Sequence, residues 1–125
     1  MQVRKTILVT GASSGIGRAC TTLLLASGYA VIGVARNFDK FPCSDTRFTA
    51  LAIDLSDLDR LPAQLDRLLA AHPVIDGAIC CAGRGRFGSL EEFSYAQIRE
   101  LLELNLTSPA YLARALLPAM KQRGA

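Results

Sequence analysis

The stretch Thr10-Gly11-Ala12-Ser13-Ser14-Gly15-Ile16-Gly17 decides the fold class, because of what stands on either side of it. Before it, Thr6-Ile7-Leu8-Val9-Thr10 is apolar and β-branched, which predicts a buried strand. After it, Ser14 to Ser27 follows a helical pattern, with Gly28 where a helix C-terminal glycine would stand. A glycine-rich turn between strand and helix is the setting in which such a motif cradles phosphate. Gly11 permits the tight turn, Gly15 lets the backbone approach a pyrophosphate, and Gly17 lets the helix pack closely on the sheet. Backbone amides at the helix start, Ile16 among them, then face the anion with help from the helix dipole. Ser13 and Ser14 add hydroxyl donors. No Gly-Lys-Ser/Thr closes the loop, so it is not a Walker A turn.

Outward from this turn the chain keeps alternating. Ala30 to Ala35 predicts a second buried strand, and Arg36 to Arg47 a polar connection or a single helical turn. Phe48 to Ile53 predicts a third strand, and Pro62 to Ala71 a helix with Leu61, Leu65, Leu68 and Leu69 on one face. Gly77 to Cys81 predicts a fourth strand. Ser94-Tyr95-Ala96-Gln97 has the form of a capping box, and Asn105 interrupts the helix it starts. Ser108-Pro109 opens a last helix that holds Pro118. Strands alternating with helices imply βαβ units, and strands this apolar imply burial on both faces. The expected fold is therefore α/β: a doubly wound parallel sheet of Rossmann type in three layers.

The 125 residues, half of them hydrophobic and a fifth charged, exclude a disordered tail. A net charge of +3 with scattered Lys and Arg gives no electrostatic case for nucleic acid. No apolar run approaches the roughly 18 residues of a membrane helix, and the N-terminus has no cleavage site of the secretory kind. Cys20, Cys43, Cys80 and Cys81 form no Cys-x-x-Cys pair, and the single histidine, His72, is far from them, so zinc is not expected. The thiols read as reduced and buried, in a cytoplasmic protein. No catalytic role is assigned to His72.

Thr before Gly-x-x-x-Gly-x-Gly resembles the short-chain dehydrogenase/reductase family, and further motifs extend the resemblance along the chain. Asp54, before Leu55 at the end of the third strand, is similar to the family's Asp that accepts a hydrogen bond from the adenine amino group. Cys81-Ala82-Gly83 is similar to the Asn-Ala-Gly that lies over the cofactor ribose. Cys81 departs from the usual Asn, which puts a brace of the central sheet in doubt but not the backbone contacts to cofactor. Asn105 is similar to the Asn of the family's Asn-Ser-Tyr-Lys tetrad, where it holds a water that links the catalytic Lys to solvent. The resemblance implies an oxidoreductase that moves hydride between a nicotinamide and a small carbonyl or alcohol.

Coenzyme choice follows from charge. An NAD site needs a carboxylate roughly 20 positions past the glycines, at the end of the second strand, to hold the ribose hydroxyls. This chain reads Val34-Ala35-Arg36-Asn37 there. A guanidinium suits a 2′-phosphate, so NADP(H) is expected, with Arg36 as its main reader and NAD(H) as the alternative.

The family's Tyr-x-x-x-Lys is not found: Tyr29, Tyr95 and Tyr111 are followed four places on by Gly33, Arg99 and Ala115. With four strands of about six expected in such a sheet, residues 1–125 read as the N-terminal, cofactor-binding part of a truncated dinucleotide domain, without its catalytic half and by itself inactive. A bare fourth strand then predicts a homodimer or higher oligomer. The competing readings are a non-catalytic NADP(H)-binding or sensing module and an inactive fragment. Arg84 and Arg86, in the loop Arg84-Gly85-Arg86-Phe87-Gly88, read as solvated charges rather than a site for an anionic substrate.

Overall fold

A computed structural model describes residues 4–83 and 89–124. Four strands, β1 (Thr6–Thr10), β2 (Ala30–Ala35), β3 (Phe48–Ala52) and β4 (Gly77–Cys80), form one parallel sheet in the order β3-β2-β1-β4. Leu8 pairs with Ile32 and with Ala78, and Ile32 with Thr49, so the register holds across the sheet. The connecting helices are α1 (Gly15–Ala26) and α2 (Leu61–Ala71). After β4 come a 3₁₀ turn (Leu90–Glu92), α3 (Tyr95–Leu102), a π-helical turn (Glu103–Thr107) and α4 (Ser108–Gln122).

Alternation along the strands builds two cores, because successive side chains leave a strand on opposite faces. Leu8, Ile32 and Val34 face one side and pack with Leu61, Leu65 and Leu68 of α2 and Leu112 and Leu116 of α4. Val9 and Val31 face the other side and pack with Ala12 and with Leu25 of α1. Helices therefore cover both faces, and the expected three-layer α/β/α arrangement is what the chain adopts. Leu8 is fully buried, and removing such a side chain costs about 2–5 kcal/mol.

Local signals form the ends as read. Gly28 has φ +93°, the left-handed conformation that closes α1. Ser94 Oγ accepts from the Gln97 amide at 3.1 Å, and the Ser94 amide donates to Gln97 Oε1 at 2.9 Å, so the capping box is complete. The connection from Arg36 to Arg47 carries no helix. It docks through Phe38 and Phe41, whose rings meet Phe48 edge-on at 5.8 and 5.5 Å, and through Arg18, stacked 5.1 Å above Phe41. At the far end of the chain, Arg123 donates to the Ile75 carbonyl at 2.9 Å and ties α4 to the entry of β4.

Three expectations need correction. β3 ends at Ala52 and β4 at Cys80, each one residue earlier than the apolar runs suggest. The outer strands are not buried on both faces: Ala50 and Ala52 of β3, and Ala78 and Cys80 of β4, are exposed, because each of these strands has a neighbour on one side among the described residues. Nor are the thiols buried: Cys80, on the outer strand β4, is exposed, and Cys20, Cys43 and Cys81 are half-buried. The Arg84–Gly88 loop lies outside the described residues.

Candidate cofactor site

The glycine-rich turn takes its shape from two close backbone approaches. Gly11 has φ +66°, and a Cβ there would stand 2.8 Å from the Ala82 amide nitrogen. A Cβ on Gly17 would overlap the Gly11 carbonyl, so the first turn of α1 rides directly on the loop. Gly15 differs: its φ is +56° and nothing lies within 4 Å of an added Cβ, so it presents bare backbone to an open space. The amides of Gly11 and Ala12 both donate to the Val34 carbonyl, at 2.8 and 3.3 Å, which anchors the turn to the end of β2.

The start of α1 is left ready for an anion. Ser14 holds the N-cap position with no side-chain capping bond, and the first turn carries no acidic residue. The amides there keep the partial positive charge that attracts phosphate.

A cavity of about 200 Å³ opens beside this helix start. It brings together Gly11, Ser13 and Ser14 of the turn, Arg36 after β2, Asp54 and Leu55 after β3, and Ala82 and Gly83 after β4. These residues come from the carboxyl ends of all four strands, where open α/β sheets hold their ligands. Of the other site residues read from sequence, Gly17 lies beneath the turn as a packing element, and Gly15 and Ile16 stand beside the cavity, Ile16 with its side chain exposed. Cys81, next to Ala82, does not line the cavity.

Asn105 sits at the middle of the π-helical turn, beside the cavity rather than in its wall. Its Oδ1 lies 2.9 Å from where a Cβ on Gly83 would stand, so the two residues are in contact. An inserted π turn swings one segment of a helix relative to the next, and such turns recur at functional sites.

The cavity wall also includes Val34, Ala35, Ile53, Ser56 and Leu104, which the motifs did not mark. Ser56 has a definite job: its hydroxyl donates to Asp54 Oδ1 at 2.6 Å and its amide at 3.0 Å, fixing the carboxylate. Thr10 opens the motif, but the motif gives its hydroxyl no role. Its buried Oγ1 accepts from the Cys81 and Ala82 amides, both at 3.1 Å, and braces the exit of β4. Arg36 is exposed at the mouth, and among the described residues nothing pairs with its guanidinium. The described residues also hold no group of His, Cys, Asp and Glu that could bind a metal, and no helix long and apolar enough to cross a membrane.

The same arrangement is found in known proteins. The short-chain dehydrogenase from Streptomyces avermitilis superposes over the whole of this chain and 47% of its own, with a TM-score of 0.93 and 37% identity. A metagenomic short-chain oxidoreductase in complex with NADP matches 95% of this chain and 57% of its own, at TM-score 0.86 and 34% identity. The short chain dehydrogenase from Leptospira borgpetersenii with bound NAD+ shares the fold at TM-score 0.86 and 22% identity. This chain spans about half the length of the curated relatives it matches: 47% of the short chain dehydrogenase ausX of Penicillium brasilianum, at 34% identity over 94% of this chain. The sequence profile of the short chain dehydrogenases matches residues 5–125. The chain belongs to the short-chain dehydrogenase family.

Proposed function

We propose that this chain binds a nicotinamide dinucleotide, NADP(H) rather than NAD(H), as the cofactor-holding part of an oxidoreductase that interconverts an alcohol and a carbonyl. The observation that carries the reading is one cavity walled by the glycine-rich turn, Arg36, Asp54 and Gly83, beside an uncapped helix N-terminus. Gly11, Ser13, Ser14, Gly15, Ile16 and Gly17 would take the pyrophosphate on backbone amides and hydroxyls. Asp54, held by Ser56, and Leu55 would receive the adenine, while Cys81, Ala82 and Gly83 would offer backbone to the nicotinamide ribose. Asn105 would hold a water at that end. When bound, the dinucleotide supplies or accepts hydride, and this chain's residues position it.

The preference for NADP(H) rests on Arg36, a guanidinium at the cavity mouth with no carboxylate beside it at the end of β2. Titration of NADP and NAD against the wild type and Arg36→Asp tests it. The wild type is expected to bind NADP more tightly, and the variant to lose that preference by about tenfold or more, or roughly 1.4 kcal/mol. An unchanged preference in the variant refutes the assignment. We assign the chain to the cytoplasm and to a homodimer or higher oligomer, the second because β4 is left as a half-open edge.

A further inference from the structure

Arg18 holds a position that the cofactor reading does not use. It follows Gly17, the residue that rides on the Gly11 carbonyl, so its backbone is fixed to the glycine-rich turn. Its side chain leaves α1 and reaches the connection between β2 and β3. There Nη1 donates to the Lys40 carbonyl at 3.2 Å, and the guanidinium lies 5.1 Å above the Phe41 ring. Arg18 itself does not line the candidate cavity.

The connection depends on such a hold. Arg36 follows Ala35, whose carbonyl accepts from the Ile53 amide at 3.0 Å, so the chain is fixed just before it. Beyond it, residues 37–44 form neither helix nor strand. Phe38 and Cys43 pack on the core beneath α1, and Phe38 and Phe41 meet the Phe48 ring. Apolar contacts of this kind hold a segment down but have no direction of their own. A hydrogen bond does. Among the described residues, the bond from Arg18 to Lys40 is the one that this stretch receives from another element.

We propose that Arg18 is a positioning residue for coenzyme choice: by clamping Lys40 and Phe41 it sets where Arg36 stands relative to the glycine-rich turn, and so favours a dinucleotide that carries a 2′-phosphate. The inference rests on the cofactor reading. The 2′-phosphate and the pyrophosphate belong to one ligand, so the guanidinium that meets the first and the amides that meet the second need a common frame. Arg18 supplies it, with its backbone in the first turn of α1 and its side chain on the loop that follows Arg36. Arg36 is long and exposed, and an unheld side chain loses part of its binding gain to ordering. The planar fork of a guanidinium on phosphate also depends on placement more than a point charge does.

The test titrates NADP and NAD against the wild type, Arg18→Met, Arg36→Ala and the double variant, and follows amide hydrogen exchange of residues 36–44 without ligand. Methionine keeps an apolar stem beside Phe41 and removes the charge and the donor. NADP affinity is expected to fall about fivefold in Arg18→Met, roughly 1 kcal/mol, with NAD affinity within about twofold of the wild type. In the Arg36→Ala background the same substitution should change NADP affinity by less than about twofold, because Arg18 acts through Arg36. Exchange over residues 36–44 should quicken in Arg18→Met. Equal losses for NADP and NAD, or an unchanged NADP affinity, overturn the proposal. A full loss that persists without Arg36 overturns it too, since Arg18 would then act on the phosphate directly or through its charge alone. Unchanged exchange removes the clamp. A wild type that binds neither dinucleotide refutes the cofactor reading and the coenzyme role with it, while the exchange rates still decide whether Arg18 holds the loop.

Discussion

Asn105 Oδ1 touches Gly83 so closely that a methyl group on Gly83 would stand 2.9 Å from it. The contact joins the π-helical turn to the loop after β4, two segments that share no hydrogen-bonded ladder. It also ties the position of Asn105 to the absence of a side chain at Gly83.

Gly83→Ala should therefore displace the Asn105 side chain without unfolding the protein. The atom in the way is the end of a side chain, which can rotate, so the expected stability change is within about 1 kcal/mol in urea. Dinucleotide affinity should fall by about tenfold, since the added methyl enters the cavity wall and moves Asn105. Asn105→Ala alone should fall less, because the Gly83 wall is kept. Equal affinity of wild type and Gly83→Ala would show that this wall does not touch the ligand.

The glycines of the turn should separate into two classes. Gly17→Ala drives a Cβ into the Gly11 carbonyl, and backbone on both sides cannot yield cheaply. A loss of more than about 3 kcal/mol is expected, seen as insoluble expression or a collapsed urea midpoint. Gly15→Ala meets nothing within 4 Å and bears only the strain of φ +56°, about 1–2 kcal/mol. It should fold and yet bind dinucleotide poorly. If both variants unfold alike, the distinction between packing and binding glycines is wrong.

What the sequence reveals here is local, and what it hides depends on neighbours far along the chain. The turn and the Ser94 capping box are legible because backbone conformation and caps are set within a few residues. Arg36, Asp54 and Gly83 are legible as a set because parallel strands deliver their carboxyl ends to one side. Thr10 is not, since its hydroxyl matters only once β4 lies beside β1. Cys80 reads as buried because its run is apolar, but burial needs a strand or helix to cover it, and β4 lies at the sheet edge.

That edge has a measurable consequence. Among the described residues β4 pairs with β1 alone, and it exposes Ala78 and Cys80, a surface that promotes strand pairing between copies. Light scattering of the chain at micromolar concentration should report a dimer or larger species. A stable monomer would remove the proposed assembly.

Acid stability should depend on one surface pair. Asp45 accepts from the Arg47 side chain at 2.6 and 3.0 Å and from its amide at 2.9 Å. Arg47 holds this carboxyl down at about 2, against an ordinary value of 3.8, chiefly through the side-chain hydrogen bonds and then the backbone one. A lowered folded-state pKa adds stability above the unfolded value, and that stability is lost as pH falls from about 3.8 through about 2. Asp45→Asn should be less stable than wild type near neutrality, and the gap should close over that window. A gap independent of pH in thermal melts would assign the effect to something other than this carboxylate.

Thr10 offers the sharpest test of how the exit of β4 is held. The residue is 3% exposed, and its Oγ1 receives two amide hydrogens, from Cys81 and Ala82, at 3.1 Å each. Thr10→Val keeps the shape and removes the acceptor, leaving the Ala82 amide without that bond, while Cys81 N retains its contact with the Thr10 carbonyl at 3.2 Å. The expected cost is about 1–3 kcal/mol, the usual penalty for a polar group stripped of its partner inside a protein. Thr10→Ser restores the acceptor and loses one methyl, so it should recover most of that stability. If valine and serine are equally destabilising in urea, the methyl packing carries the effect and the hydroxyl brace does not.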